Sequence, residues 1–344
     1  MSTPFSDFPG YHSRTLSFKA VEGTNLELDV VFPTDLGSSP IPVLIHYHGG
    51  FFVVGDRYSV PPFWLIQACV RRRWIFVSPD YRLMPESTAH EAVDDALDSY
   101  SWVLDKLSSV LGTAIGPVVL AGSSAGAYLA LTTAALSIQC PQAVVSLYGL
   151  LNLADKRYYT KGANILGIPT IETSPVLGLF PSVSQKRAVP ISGYPWPEDL
   201  MGDSRFALVM ALHIDTLLPD FATGVSGLSQ SLAANGLDKI QRREQRLFID
   251  AVGYPPGLPP VFLLHGKDDA AIPFRISESA ADKLRQAGAK VAIEFPDNAQ
   301  HGFDALLGRI DIEEGSFPAS NSAAVNSLNR VLQFLDQELP GRMG

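Results

Sequence analysis

The chain has 344 residues, of which 46% are hydrophobic and 18% charged, with a formal net charge of -9. A chain this long and apolar buries a large core, which excludes intrinsic disorder. Its acidic balance and lack of Lys/Arg-rich blocks speak against nucleic acid or an anionic membrane as a partner.

No apolar run approaches the ~18–20 residues of a membrane span, and the first residues show neither a basic nor an apolar leader segment. The two cysteines, Cys69 and Cys140, make no disulfide framework and lie in no CxxC pattern. The expectation is a cytoplasmic protein with reduced thiols. A homodimer is compatible with the sequence but nothing in it requires one.

In chain order, Leu26–Phe32 alternates as a half-solvated strand, and Pro42–His48 is a short apolar strand ending in glycines. Trp74–Pro79 is another strand, and Glu86–Ser109 has helical spacing. Pro117–Ala121 predicts a buried strand, Ala125–Ile138 a helix of small residues, and Ala143–Tyr148 a further strand. Buried strands alternating with helices predict an α/β fold: a doubly wound, mostly parallel sheet flanked by helices.

That rhythm breaks over residues 151–260, where Gly/Pro/aromatic clusters surround helix-like pieces at Phe206–Leu218 and Leu237–Val252. We expect an inserted helical cap there, dividing the core into residues 1–150 and 261–344. The strand pattern returns at Val261–His265 and Lys290–Phe295, with helices at Glu278–Ala287 and Asn321–Glu338.

Gly122-Ser123-Ser124-Ala125-Gly126 matches GxSxG. The pattern alone is weak, but here it follows an apolar strand and opens a helix, the setting a nucleophile elbow requires. Ser124 is the expected nucleophile, and Ser123 should point away from the cleft. His48-Gly49-Gly50-Phe51 also follows a buried strand. Its glycines free backbone N–H groups to face an oxyanion. Gly49, Gly50, Phe51 and Ala125 are the candidate oxyanion-hole residues.

HYHGGFFVVGDR, VSPDYRLMPES, AGSSAGA, HGKDDAAIP and HGF occur in that order. In this the chain resembles the hormone-sensitive-lipase-like branch of α/β-hydrolases, which holds carboxylesterases and small-ester deacetylases. The resemblance runs from Pro40 to the C-terminus, excluding much of the insertion. It departs at Phe51, where the family often has a third glycine; the kynurenine-formamidase group also has a bulky residue there. The resemblance implies that His48 is structural. It selects Asp269 over Asp268 as the triad acid, because the acid follows Gly266 in a G-x-x-D pattern with Pro273 four residues on.

The chain order Ser, acid, His then leaves His301, in the loop after the last predicted strand, as the base. His12, His90, His213 and His265 fit that role less well. The resemblance also implies that Asp80, Tyr81, Arg82 and Glu86 form a structural polar cluster. Phe52, Tyr194, Trp196 and Phe206 are candidate substrate-lining aromatics. No metal-ligand spacing and no phosphate-binding glycine loop is present, so no cofactor is expected. The expected partner is a small-molecule ester. Arylformamidase activity, pathway-specific acyl transfer, lyase or cyclase chemistry on a bulky natural product, and a non-catalytic receptor are the alternatives.

Overall fold

The computed structural model describes residues 4–5, 7–161, 167–185, 189–314, 317 and 322–339. The chain opens with a hairpin of β1 (Tyr11–Val21) and β2 (Thr24–Pro33). Its turn residues Glu22 and Gly23 both have positive φ, 49° and 83°, which matches the strand twist. Sequence patterning finds β2 but not β1. β1 is an edge strand whose residues are all exposed or half-buried, so it carries no apolar run.

β3 (Ile41–Tyr47), α1 (Phe63–Arg71), β4 (Ile75–Pro79) and α2 (Ala89–Trp102) follow. A capping box of Thr88 and Glu91 starts α2 three residues later than its periodicity predicts. A π turn at Val103–Leu107 and the short α3 (Ser108–Leu111) complete it, ended by Gly112 at φ 71°. β5 (Ile115–Ser123), α4 (Ala125–Leu136) and β6 (Ala143–Leu147) come next.

No strand occurs among the described residues between β6 and β7 (Val261–Leu264). The segment holds α5 (Thr173–Leu177), α6 (Ser204–Ile214), α7 (Leu218–Thr223), α8 (Leu228–Asn235) and α9 (Ile249–Val252), with 3₁₀ turns between them. Two expectations need correction. Phe206–Leu218 is not one helix, because Thr216 turns to φ 58° and Pro219 restarts the chain as α7. Leu237–Val252 is not a long helix either, but two 3₁₀ turns and α9. Leu247, Phe248 and Ile249 are consecutive and all buried. A surface helix cannot bury three residues in a row on one face, so the backbone kinks at Phe248.

α10 (Arg275–Gln286), β8 (Val291–Glu294) and α11 (Ser322–Glu338) close the fold. Asn321, the first residue of the last expected helix, lies outside the described residues. The eight strands form one sheet in the order β1-β2-β4-β3-β5-β6-β7-β8. β1, β2 and β4 pair antiparallel, and every other neighbouring pair is parallel.

Alternation divides the core in two. Val43, Ile45, Val118, Leu120 and Val144 pack with α2, α4, α10 and the inserted helices. Leu44, Val119, Ala121 and Val145 pack with α1 and α11. The inserted segment therefore shares the core of one sheet face.

Candidate active site

At the β5–α4 junction, Ser124 has φ 57° and ψ −117°, a backbone conformation that L residues rarely adopt. Two glycines make the turn sterically feasible. A Cβ on Gly126 would lie 2.0 Å from the Tyr47 carbonyl oxygen, and one on Gly122 2.1 Å from the Gly126 oxygen. Ser124 N–H donates to Leu147 O at 2.9 Å, and Ser124 O accepts from Leu150 N–H at 3.0 Å, which anchors the turn to β6. Ser123 faces away, with its hydroxyl 2.9 Å from His46 Nε2. Ala125 is the first residue of α4, so its N–H has no acceptor within the helix.

The loop after β3 lies against this turn. A Cβ on Gly49 would sit 3.1 Å from Ser124 Cβ. Gly50 has φ 115°, and a Cβ there would sit 1.9 Å from Val54 O. Phe51 and Phe52 then hold φ of 54° and 63°, so two non-glycine residues are left-handed in succession, at about 1 kcal/mol or more each. His48 braces the loop: its Nδ1–H donates to Gly49 O at 2.8 Å, and its ring stacks on Tyr81 at 4.2 Å. Burial pushes the His48 pKa down to about 4, so the ring stays neutral.

Asp269 and His301 meet in the loops after β7 and β8, with His301 Nδ1 2.6 Å from Asp269 Oδ2. Asp269 Oδ1 accepts the N–H groups of Ala271 and Ile272, both at 2.8 Å. His265 approaches Oδ2 as well, at 3.1 Å. Burial opposes ionisation of this carboxyl, but hydrogen bonds from His265 and His301 overcome it and hold its pKa well below the usual carboxylate range.

Sequence reasoning did not assign three supporting features. His265 Nε2 is 2.8 Å from Ile272 O, which can only accept, so Nε2 carries the proton and Nδ1 accepts from Ser277 Oγ at 2.7 Å. Tyr148 sets its ring edge-on to His301 at 4.7 Å, and its hydroxyl donates to Asp304 at 2.8 Å. Trp64 Nε1 donates to the same carboxylate at 2.8 Å. The Trp64 and Tyr148 contacts to Asp304 join residues 240 and 156 positions apart, so no local pattern announces them. The HGxxD spacing was the available signal for His265.

The polar cluster is structural, as expected. Arg57 reaches Glu27, Asp29 and Asp80, and Arg82 forks onto the fully buried Asp95. Glu86 takes a bidentate pair from Arg205, whose Nε–H also donates to Val53 O at 3.0 Å. Arg205 thereby ties α6 to the Gly49–Phe52 loop.

The aromatic candidates divide. Phe52 is fully buried between Tyr81 and Tyr128, and Phe206 is buried beside Trp196. Both are buried within the aromatic packing beside the site. Trp196 is 37% exposed, and Tyr194 bridges to Gly55 by backbone and donates to Asp203 at 2.5 Å. Among the described residues no group of three or more His, Cys, Asp or Glu is placed to hold a metal ion. No helix among them is long and apolar enough to cross a membrane.

A strained serine at a strand–helix turn, under a parallel sheet whose carboxyl edge carries the acid–histidine pair, defines a class, and sequence comparison agrees with it. Residues 44–221, more than half the chain, match the family described as the alpha/beta hydrolase fold, and residues 255–339 match the dienelactone hydrolase family. The chain belongs to the α/β-hydrolase fold family.

It is 29% identical over 322 residues to a probable carboxylesterase M8 of Phoma sp., covering 88% of this chain and 94% of that protein. It is 28% identical over 319 residues, 86% of this chain, to the non-reducing polyketide synthase atr1 of Stereocaulon alpinum, of which it spans only 12%. Among solved structures, a bacterial heroin esterase superposes with a TM-score of 0.61 at 20% identity, covering 96% of this chain and 86% of that one. An esterase of Thermogutta terrifontis gives 0.59 at 17% identity, with 96% and 95% covered.

Proposed function

We propose that this protein cleaves a carboxylic ester through a Ser124–His301–Asp269 triad and an acyl-enzyme. The carrying observation is the 2.6 Å contact of His301 Nδ1 with a carboxylate already fixed by two backbone N–H groups. That bond keeps the proton on Nδ1 and leaves Nε2 as the base.

Ser124 Oγ attacks the ester carbonyl as Nε2 takes its proton. The carbonyl oxygen becomes an oxyanion, held by N–H groups of Gly50, Phe51 and Ala125, with Gly49 giving the loop its close approach to the serine. Collapse expels the alcohol, which leaves with the proton from Nε2. Water then attacks the acyl-enzyme and gives its proton to Nε2, which returns it to Ser124 Oγ as the Oγ–acyl bond breaks and the acid leaves. The segment 151–260 acts as a cap over the site, with Tyr194 and Trp196 as lining candidates. Cys69 and Cys140 are free thiols, which fits a cytoplasmic location.

A second reading concerns the acyl group. The match to a polyketide synthase over 86% of this chain favours a polyketide-type acyl ester, handed to water or to another acceptor. The test is hydrolysis of p-nitrophenyl esters from acetate to decanoate by the wild type and Ser124→Ala, with fluorophosphonate labelling of Ser124. Turnover lost in the variant supports the triad. A wild type that labels at Ser124 but turns over no alkyl ester points to the polyketide or acyl-transfer reading. A wild type that neither labels nor hydrolyses refutes both.

A further inference from the structure

Besides His48 Nε2, two buried polar atoms near the Gly49–Phe52 loop have no hydrogen-bond partner among the described residues: His213 Nε2 and the Tyr158 hydroxyl. Both side chains are fully buried. Leaving such atoms unpaired is costly, and folds rarely retain them without a use. The two belong together, since their rings meet edge-on at 5.6 Å. They also belong to the site, because His213 packs edge-on against Phe51 at 4.7 Å.

Their hydrogen-bonding characters are fixed. His213 Nδ1 lies 2.7 Å from Val209 O, an acceptor, so Nδ1 carries the proton and Nε2 can only accept. Burial pushes the His213 pKa down to about 4, which keeps it in that neutral form. Burial also pushes the Tyr158 phenol up, so it stays protonated and can donate or accept. The complementary group offers a donor to the histidine and takes or gives a bond to the phenol. A hydroxyl does both. The Phe51, Tyr158 and His213 rings around it suit an aromatic carrier.

We infer that His213 and Tyr158 form a specificity subsite for a hydroxyl on an aromatic ester. The inference rests on the ester-hydrolase reading and extends it to a substrate class.

The experiment compares kcat/KM for p-nitrophenyl phenylacetate with its 2-, 3- and 4-hydroxy derivatives. It also compares phenyl acetate with the monoacetates of catechol, resorcinol and hydroquinone. The proteins are the wild type, Tyr158→Phe and His213→Gln, with Ser124→Ala as control. The wild type should prefer at least one hydroxylated ester over its parent by about tenfold or more. In Tyr158→Phe that ratio should collapse toward one. The melting temperature of Tyr158→Phe should not fall, because no protein partner is lost.

Equal wild-type rates on every hydroxylated ester and its parent would overturn the inference. So would an undiminished ratio in Tyr158→Phe, or a lower melting temperature with both rates cut equally, the mark of a structural water. Should the parents not turn over, protection of Ser124 from a fluorophosphonate by 4-, 3- or 2-hydroxyphenylacetate is compared with protection by phenylacetate, and equal protection again overturns it. Activity surviving in Ser124→Ala would instead sink the ester-hydrolase reading itself.

Discussion

The sheet's carboxyl edge and the segment between β6 and β7 are built in different ways. At the edge, two groups of the proposed triad are set by backbone: Ser124 by a strained turn, and Asp269 by the Ala271 and Ile272 N–H groups. The inserted segment is a run of short helices and 3₁₀ turns held by side chains and by a backbone bridge from Tyr194 to Gly55. Arg205 fastens it to Glu86 and Val53, Arg246 reaches Asp94, and Tyr128 donates to Leu247 O at 2.9 Å. Chemistry fixed on a rigid frame can persist while a side-chain-tethered segment changes what enters.

The comparison breaks if damage to the frame spares the chemistry. Ser124→Ala should lower kcat by about 10⁴-fold or more, measured by steady-state ester hydrolysis with the fold checked by circular dichroism. Asp269→Asn should cost nearly as much, about 10⁴-fold. It also carries a signature against pH. The folded-state pKa of this carboxyl is depressed, so its stabilising contribution is present in full above the ordinary carboxylate value of about 4 and is lost as pH falls below it. The melting-temperature gap between wild type and Asp269→Asn should therefore be widest near neutrality and narrow in acid.

Smaller effects sharpen it. Replacing His265 by Leu leaves the Ser277 hydroxyl unpaired and removes one brace from the carboxylate. Here kcat should drop about ten- to a hundredfold with KM little changed. Arg205→Ala leaves the half-buried Glu86 carboxylate unpaired and should cost about 1–3 kcal/mol of stability, read by denaturant unfolding. It should change chain-length preference among esters more than the reactivity of Ser124 toward a small fluorophosphonate. Equal loss in both would show that the segment and the frame act as one unit.

The same division governs what the sequence reveals. β3, β5, β6 and β7 are buried on both faces, so each reads as an apolar run, and the glycines at 122 and 126 mark a close approach that no other residue type permits. Ser124 and Asp269, proposed as nucleophile and acid, follow two of these strands, whereas His301 follows β8, a half-buried edge strand, and was proposed from its HGF motif and the chain order. β1 is an exposed edge and gave no signal. The helices around Phe206 and Leu247 obey tertiary packing over local periodicity, so their limits were misread. His265 looked like a strand-end histidine, because its partners Ser277 and Ile272 become neighbours only after the chain turns into α10.

The left-handed backbone at Ser124 has an evolutionary edge to it. Glycine occupies φ 57° without strain, so Ser124→Gly should melt no lower than the wild type while doing no chemistry. A lineage selected only for abundance would drift toward that silent form, and durability alone would erase the activity. On the proposed mechanism, a serine kept in so unfavourable a turn is what selection on turnover would retain, written in a torsion angle.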